Sequence, residues 1–295
     1  MPELPEVQTI VNDLNKKIKN DIIIDFWSDW PKTIKGLSLE KFSKEIKNRK
    51  ILQARRIGKN IFIDLSGGKT LYIHLKMTGH LLIKSGVKNQ KSKENEMDYF
   101  SERVNQYIHH IWKLKSKKTL EFSDLRKFGK IVLVDTDKAQ ELPEIKKLGP
   151  DAISPNFTFK KFEEILQKRQ SKKIGLVLME QELIAGIGNI YRSEILFEAE
   201  IHPERLVKNL KLTEIKNIYT STLKILKKAI ELRGTSDSDY RDTSGKPGNF
   251  HKILKVYRKN GQKCRCVRNG KKCDTIIEKI TLGQRSVFFC PRCQN

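Results

Sequence analysis

Cysteine is missing from the first 263 residues of this 295-residue chain, and all five lie between Cys264 and Cys293. That distribution excludes a disulfide framework spread through the fold and, in a reducing compartment, points to one metal site near the C-terminus. No apolar run reaches the roughly 18 residues of a membrane-spanning helix, so no membrane partner is expected. The N-terminus has no apolar signal core, from which a cytoplasmic location is expected. Acidic residues are scarce: 35 Asp and Glu stand against 59 Lys and Arg, a net charge of +24. Such an excess says nothing of the fold but does speak of partners, nucleic acid or an anionic surface. Lysines that merely solvate the surface are the plainer explanation. Internal repeats and low-complexity tracts are absent too, and the length allows a sizeable core and two domains.

What is present begins with Met1-Pro2-Glu3-Leu4-Pro5-Glu6-Val7. Removal of Met1 is expected because Pro2 is small at its Cα, and it leaves a free secondary amine. Such an amine attacks an aldehyde carbon to form an iminium ion, as Schiff-base lysines do. It titrates near pH ~8, well below a lysine side chain. Glu3, one residue on, can donate or accept a proton. A loose tail with two helix-starting prolines is the bland alternative. Against it, Val7, Ile10, Val11, Leu14 and Ile18 fall on one helical face, with Pro5 near the start where a missing N–H costs nothing.

Short β-like runs follow at 51–57, 60–65, 70–77, 81–84, 107–114, 119–122 and 130–135, with turns at Gly67-Gly68 and Gly79. So many short strands predict an antiparallel sandwich or barrel. Residues 86–103 are polar and aperiodic and read as a surface loop or insertion. After Leu148-Gly149-Pro150 the pattern turns helical, at 159–168, 174–183, 189–198 and 212–232. Pro143, Pro150 and Pro155 mark 136–157 as the boundary between domains.

Three motifs carry chemistry. In the tail, Cys264-Arg265-Cys266 and Cys273 precede Cys290-Pro291-Arg292-Cys293. Four thiolates in two groups match a closed, structural zinc site; Cys290 and Cys293 form the knuckle, while Cys264 and Cys266 compete to partner Cys273. Nine cations, Lys255, Arg258, Lys259, Lys263, Arg265, Arg268, Lys271, Lys272 and Arg285, surround it and would aim it at phosphates. Gly186-Ile187-Gly188-Asn189 opens a helix, where backbone N–H groups and Asn189 could meet an anion; a plain helix cap is at least as good a reading. Met77, Arg126 and Phe128 sit beside glycines at strand ends, suited to insertion into a base stack, although such apolar residues are more often core.

Together these residues resemble the bacterial formamidopyrimidine-DNA glycosylase family over essentially the whole chain. The resemblance rests on Pro2-Glu3-Leu4-Pro5-Glu6-Val7, Gly58-Lys59, His74-Leu75-x-Met77-x-Gly79 and Arg126-x-Phe128-Gly129. It continues through Gly186 to Tyr191, Ile201-His202-Pro203, Gly245-Lys246-Pro247-Gly248, Val256-Tyr257 and the cysteine tail. It implies an α+β fold: an N-terminal antiparallel β-sandwich with flanking helices (1–135), a linker (136–157), a helix–two-turns–helix domain (158–250) with a lesion loop at 234–248, and a zinc ribbon (251–295). One structural zinc is implied, along with a monomer acting on double-stranded DNA that carries an oxidised base, in a cleft between the domains.

By the same resemblance Pro2 would attack the sugar C1′, Glu3 would protonate the ring oxygen, Lys59 would serve β-elimination and Arg285 δ-elimination. Met77, Arg126 and Phe128 would fill the vacated stack. Glu6, His74, His110, Lys172, Asn189 and Tyr240 would be the remaining residues at the DNA. The chain departs from the family pattern at Gln8, at Tyr107-Ile108-His109-His110, around Ile174-Gly175-Leu176, in the 86–103 insertion and in the widened Cys264–Cys273 gap. Lys172 or Lys173 would replace a lost phosphate contact. The alternatives are an endonuclease VIII-like enzyme for oxidised pyrimidines, disfavoured by Leu4, a non-catalytic zinc-dependent lesion binder, and a basic RNA-binding protein.

Overall fold

The computed structural model describes residues 1–86, 98–236, 239–268 and 270–295. These form two compact units, residues 1–146 with 232–251 and residues 147–231 with 252–295.

The first unit begins with helix α1 (Leu4–Ile18). Leu4, Val7, Ile10, Leu14 and Ile18 are all buried on its inner face, worth about 1.5–3 kcal/mol each. Strands β1 (Ile23–Ser28) and β2 (Ile34–Lys35) lead to helix α2 (Leu39–Ile46), whose N-cap Ser38 accepts a hydrogen bond from the Lys41 amide. Then come β3 (Ile51–Ile57), β4 (Asn60–Leu65), β5 (Lys69–His74), β6 (His80–Ser85), β7 (Ile108–Leu114), β8 (Lys118–Ser123) and β9 (Lys130–Asp135). They make two sheets, in the orders β1-β7-β8-β6 and β2-β9-β5-β4-β3. Every pairing is antiparallel except β2 with β9. One apolar core joins α1, α2 and strands of both sheets. Short helix α3 (Pro143–Lys146) ends this stretch.

Four of these elements, β1, β2, α2 and α3, lie outside the segments that periodicity predicts. In β1 only Ile23 and Phe26 are buried, so no two-residue alternation is visible; in α2 only Phe42 and Ile46 are. Of the polar insertion, residues 87–97 fall outside the described residues, and 99–101 and 103–105 are single 3-10 turns.

Residues 232–251 fold back onto this same unit. Thr235 bridges Asn249, and the Asp242 carboxylate accepts the amides of Ser244 (2.8 Å) and Lys246 (3.1 Å), closing a tight loop. Arg233 joins Asp242 to Asp13 of α1 at 2.7 and 2.5 Å, and Lys17 donates to the Thr243 and Ser244 hydroxyls.

The second unit holds α4 (Phe159–Gln167), α5 (Ile174–Val177), α6 (Asn189–Glu198), α7 (Leu212–Glu231), and the hairpins β10 (Val267–Arg268) with β11 (Lys271–Lys272) and β12 (Glu278–Leu282) with β13 (Arg285–Phe289). The helix expected over 174–183 stops at Val177. The Gln181 side chain explains the break: its amide donates to the carbonyls of Met179 and Ile187 and its oxygen accepts the Gly186 amide, so a turn replaces further helix. The α+β fold is the one the sequence predicts.

Candidate active site and zinc centre

Helix α1 positions the chain's first residues. Pro2 is buried, as are Glu3 and Glu6, which are 3 % and 1 % exposed. The Glu6 carboxylate accepts the Glu3 amide at 2.7 Å through one oxygen and the Thr235 amide at 2.7 Å through the other. It thereby ties the N-terminus to the 232–251 segment. Gly234 is necessary at that tie: its φ is +81°, and a Cβ there would stand 2.7 Å from Glu6 Oε1.

The amine seen here belongs to Met1 and stands in for the proline amine that its removal would expose. Burial lowers it from its ordinary 8.0; Glu3 and Glu6 oppose the shift and Lys59 adds to it. The positive N-terminal end of α1 disfavours a cation in the same way. Lys59, in the β3–β4 turn, is itself buried. His74 ends β5, and its Nδ1 accepts the Lys76 amide at 3.0 Å. Burial, then Lys76 and Lys59, push this histidine down to about 4. Pro2, Glu3, Glu6 and Lys59 are thus brought together, with His74 within the field of Lys59.

A second cluster forms where two turns meet. Asp124, 4 % exposed, accepts the Thr78 hydroxyl, the Gly129 amide (2.8 Å) and the Arg126 amide (3.3 Å). Thr78 in turn accepts the Arg126 amide at 3.1 Å. This shared carboxylate sets Met77 against the Arg126 guanidinium, which lies 4.6 Å from the centroid of the Phe128 ring. Met77 and Phe128 remain 46 % and 55 % exposed, which for apolar side chains at turn tips marks a contact surface rather than core. Beside them opens a pocket of about 630 Å³ lined by Trp30 and by five lysines, Lys32, Lys35, Lys76, Lys127 and Lys130. Sequence reasoning missed Trp30; the signal available was an aromatic before Pro31 in a lysine-rich loop.

In the second unit Asn189 is the first residue of α6, and its side-chain oxygen accepts from Arg192. Lys172 is paired with Glu180 at 3.1 Å and Lys173 with Glu204 at 2.5 Å, so neither holds its charge wholly in reserve. Arg285 is exposed at the start of β13, opposite Leu282.

Four thiols, of Cys264, Cys273, Cys290 and Cys293, are buried with their sulfurs within 4.8 Å of one another. The Cys264–Cys293 and Cys273–Cys290 sulfurs lie 3.9 and 3.8 Å apart. That is far beyond a disulfide and close to the ~3.8 Å edge of a tetrahedron with Zn–S bonds of about 2.3 Å. These residues hold one structural zinc. The choice between Cys264 and Cys266 falls to Cys264; Cys266 is outside the group.

Two residues expected at the DNA lie elsewhere. His110 is 1 % exposed and packs among the rings of Phe26, Trp112 and Phe122. Alternation along β7 turns it inward, and burial lowers it to about 4. Tyr240 is 6 % exposed within the sandwich core, its hydroxyl held well above the ordinary value by burial and by Glu6. Both rings are thus packed inside the first unit.

A β-sandwich with buried N-terminal residues, followed by a helical unit ending in a four-thiolate ribbon, defines the class of helix–two-turns–helix DNA glycosylases. Residues 1–131 match the formamidopyrimidine-DNA glycosylase N-terminal domain, 148–241 its H2TH domain, and 261–295 the zinc finger found in FPG and IleRS. The chain belongs to the formamidopyrimidine-DNA glycosylase family. It is 36 % identical over 294 residues to that glycosylase of Pelotomaculum thermopropionicum, covering 100 % of this chain and 99 % of the relative. It is 38 % identical over 296 residues to that of Carboxydothermus hydrogenoformans, covering both chains fully (100 % each). Among solved structures, the complex of Lactococcus lactis Fpg with DNA containing an abasic site aligns with a TM-score of 0.83 at 32 % identity, over 99 % of each chain. A complex of the same protein with DNA containing Fapy-dG gives 0.82 at 33 % identity, over 99 % of this chain and 100 % of that one.

Proposed function

We propose that this protein is a bifunctional DNA glycosylase and abasic-site lyase of base excision repair. It removes oxidised purines, 8-oxoguanine and formamidopyrimidines, from duplex DNA and then cuts the strand by β,δ-elimination. The target base is unreachable inside a duplex, so the nucleotide is flipped out. The Pro2 amine attacks the sugar C1′, the bond to the base breaks, and the ring opens as Glu3 protonates its oxygen. The product is an iminium ion joining protein to DNA. Lys59 moves the protons of β-elimination and Arg285 assists δ-elimination. Met77, Arg126 and Phe128 fill the gap in the stack, Arg126 facing the orphaned cytosine. Asn189 and the zinc hairpin hold phosphates, His74 lies beside the site, and residues 234–248 cover the lesion. Residues 1–135, with the 232–251 segment returned onto them, act as the catalytic domain, and 158–231 and 252–295 as the helical and ribbon parts beyond a 136–157 linker. The protein works as a cytoplasmic monomer on the bacterial nucleoid, with no membrane partner.

One observation carries this reading: the chain's first residues are buried against two carboxylates and Lys59 instead of trailing into solvent. Burial, with Lys59 adding to it, lowers the amine from its ordinary value and so favours its unprotonated, nucleophilic form. Borohydride trapping on a duplex carrying 8-oxoguanine opposite cytosine tests it. Wild type forms a stable crosslink, much reduced in Pro2→Gly. Tight lesion binding by zinc-loaded, Met1-processed protein without any crosslink would overturn the enzymatic reading.

A further inference from the structure

At the root of the zinc ribbon the second unit carries a groove of about 240 Å³ that none of the residues assigned to lesion chemistry lines. Its rim bears Lys252, Lys255, Lys259, Lys263 and Arg265, and its floor includes Phe197. Lys252, Lys255, Lys263 and Arg265 are exposed, and none has a carboxylate within ion-pair distance among the described residues. The Lys259 ammonium is braced on the Leu254 carbonyl. One carboxylate, Glu194, lies beneath, but its oxygens are taken by the amides of Lys255, Val256 and Tyr257 at 2.8, 3.0 and 2.9 Å. That buried acid holds the 255–257 backbone in place and leaves the rim charges to face outward.

Like charges held around a concavity repel, and a bound anion relieves the repulsion while gaining charge-assisted hydrogen bonds. The groove is smaller than the roughly 300–1,000 Å³ of pockets that take a whole small molecule. It therefore fits a phosphoryl group or sugar phosphate and offers little to a base. We propose that this groove is a phosphate-binding site, separate from the lesion-processing residues, whose ligand is the phosphoryl group of a nucleotide or of a nucleic-acid strand end. Binding depends on phosphate charge and is indifferent to the base.

Calorimetry on the zinc-loaded full-length protein at about 50 mM salt tests this, with inorganic pyrophosphate as the probe. Wild type binds it saturably at one site. Lys255→Gln with Lys263→Gln weakens binding by about tenfold or more, the loss of one or two charge-assisted hydrogen bonds, while Lys255→Arg with Lys263→Arg retains it. Lys59→Gln and Arg285→Gln leave it in place. Absence of saturation, or equal binding by the double glutamine variant and wild type, would overturn the proposal. Two further arms name the source. If a 5′-phosphorylated oligonucleotide outbinds its 5′-hydroxyl twin and a free nucleotide does not compete, the ligand is a strand end. If ATP and GTP compete equally well, it is a free nucleotide. No lesion is present in any arm, so the result is independent of base excision.

Discussion

The two ends of this chain are both held in place, by opposite means. At the N-terminus Pro2 to Val7 are all buried, anchored by the apolar face of α1 and by the two hydrogen bonds into Glu6. At the C-terminus β12 and β13 are five residues each, and β12 buries only Leu282. So small a ribbon cannot assemble a core of its own, and four thiolates around a metal supply what packing does not. The contrast follows from chemistry. A terminal amine that must attack carbon cannot be tied up in a bond, so only packing and neighbouring carboxylates can hold it. A ribbon that only presents cations can be locked rigidly.

That contrast can be broken most forcefully at the metal. Chelation of zinc should unfold the ribbon, because structural zinc contributes about 10 kcal/mol or more to such modules, while the thermal transition of the sandwich persists. Two-dimensional NMR of the chelated protein checks this: retained dispersion for residues of β12 and β13 would show that packing suffices there too. Next in size is Glu3→Gln at the other end. Loss of the proton donor should slow base release by about 10²–10⁴-fold, read in single-turnover assays, with lesion binding largely kept.

Acid separates the packed unit from the ribbon. Folded protein keeps His110 neutral down to about pH 4, whereas an unfolded histidine takes its proton near 6.5. Its contribution is therefore complete above pH 6.5 and is lost as pH falls toward 4, about 3 kcal/mol in all. In His110→Phe the thermal midpoint should fall less steeply across that window; an unchanged slope would assign the acid sensitivity elsewhere.

A smaller effect comes from paired glycines. Gly234→Ala meets both a positive φ and the Glu6 carboxylate, while Gly261, at φ +82°, has open space within 4 Å of where a methyl would stand. Each substitution strains the backbone by about 1–2 kcal/mol, and Gly234→Ala should cost more by thermal melting and also slow trapping. Equal costs would mean that Glu6 yields freely. Smallest of all, Cys266→Ser should leave zinc stoichiometry at one per chain; a loss of metal would place Cys266 among the ligands.

How much of the fold is legible in the chain varies with the kind of signal. Helix α6 matches its expected 189–198 span residue for residue, because apolar periodicity and the preceding glycines both mark it. Strands β3, β4 and β9 likewise match. His110 misleads because the resemblance puts histidines of this strand at the DNA, whereas the side on which a β residue lies is set by register, here the pairing of His110 with Phe122 and Ser28. The turn after Val177 is hidden because its cause is one side chain, Gln181, bonding to backbone as far off as Ile187.

The residue types along the chain determined by themselves that there would be a candidate amine nucleophile with an adjacent acid, a cysteine ribbon and a cationic surface, since these are properties of short motifs and of composition. Only the tertiary structure decided that Cys264 and not Cys266 joins the metal cluster, that Asp124 brings Met77 to Arg126 and Phe128, and that residues 232–251 return to α1 through Glu6 and Arg233. Each of those outcomes depends on distances between residues far apart in the chain, which packing sets and local spacing does not record.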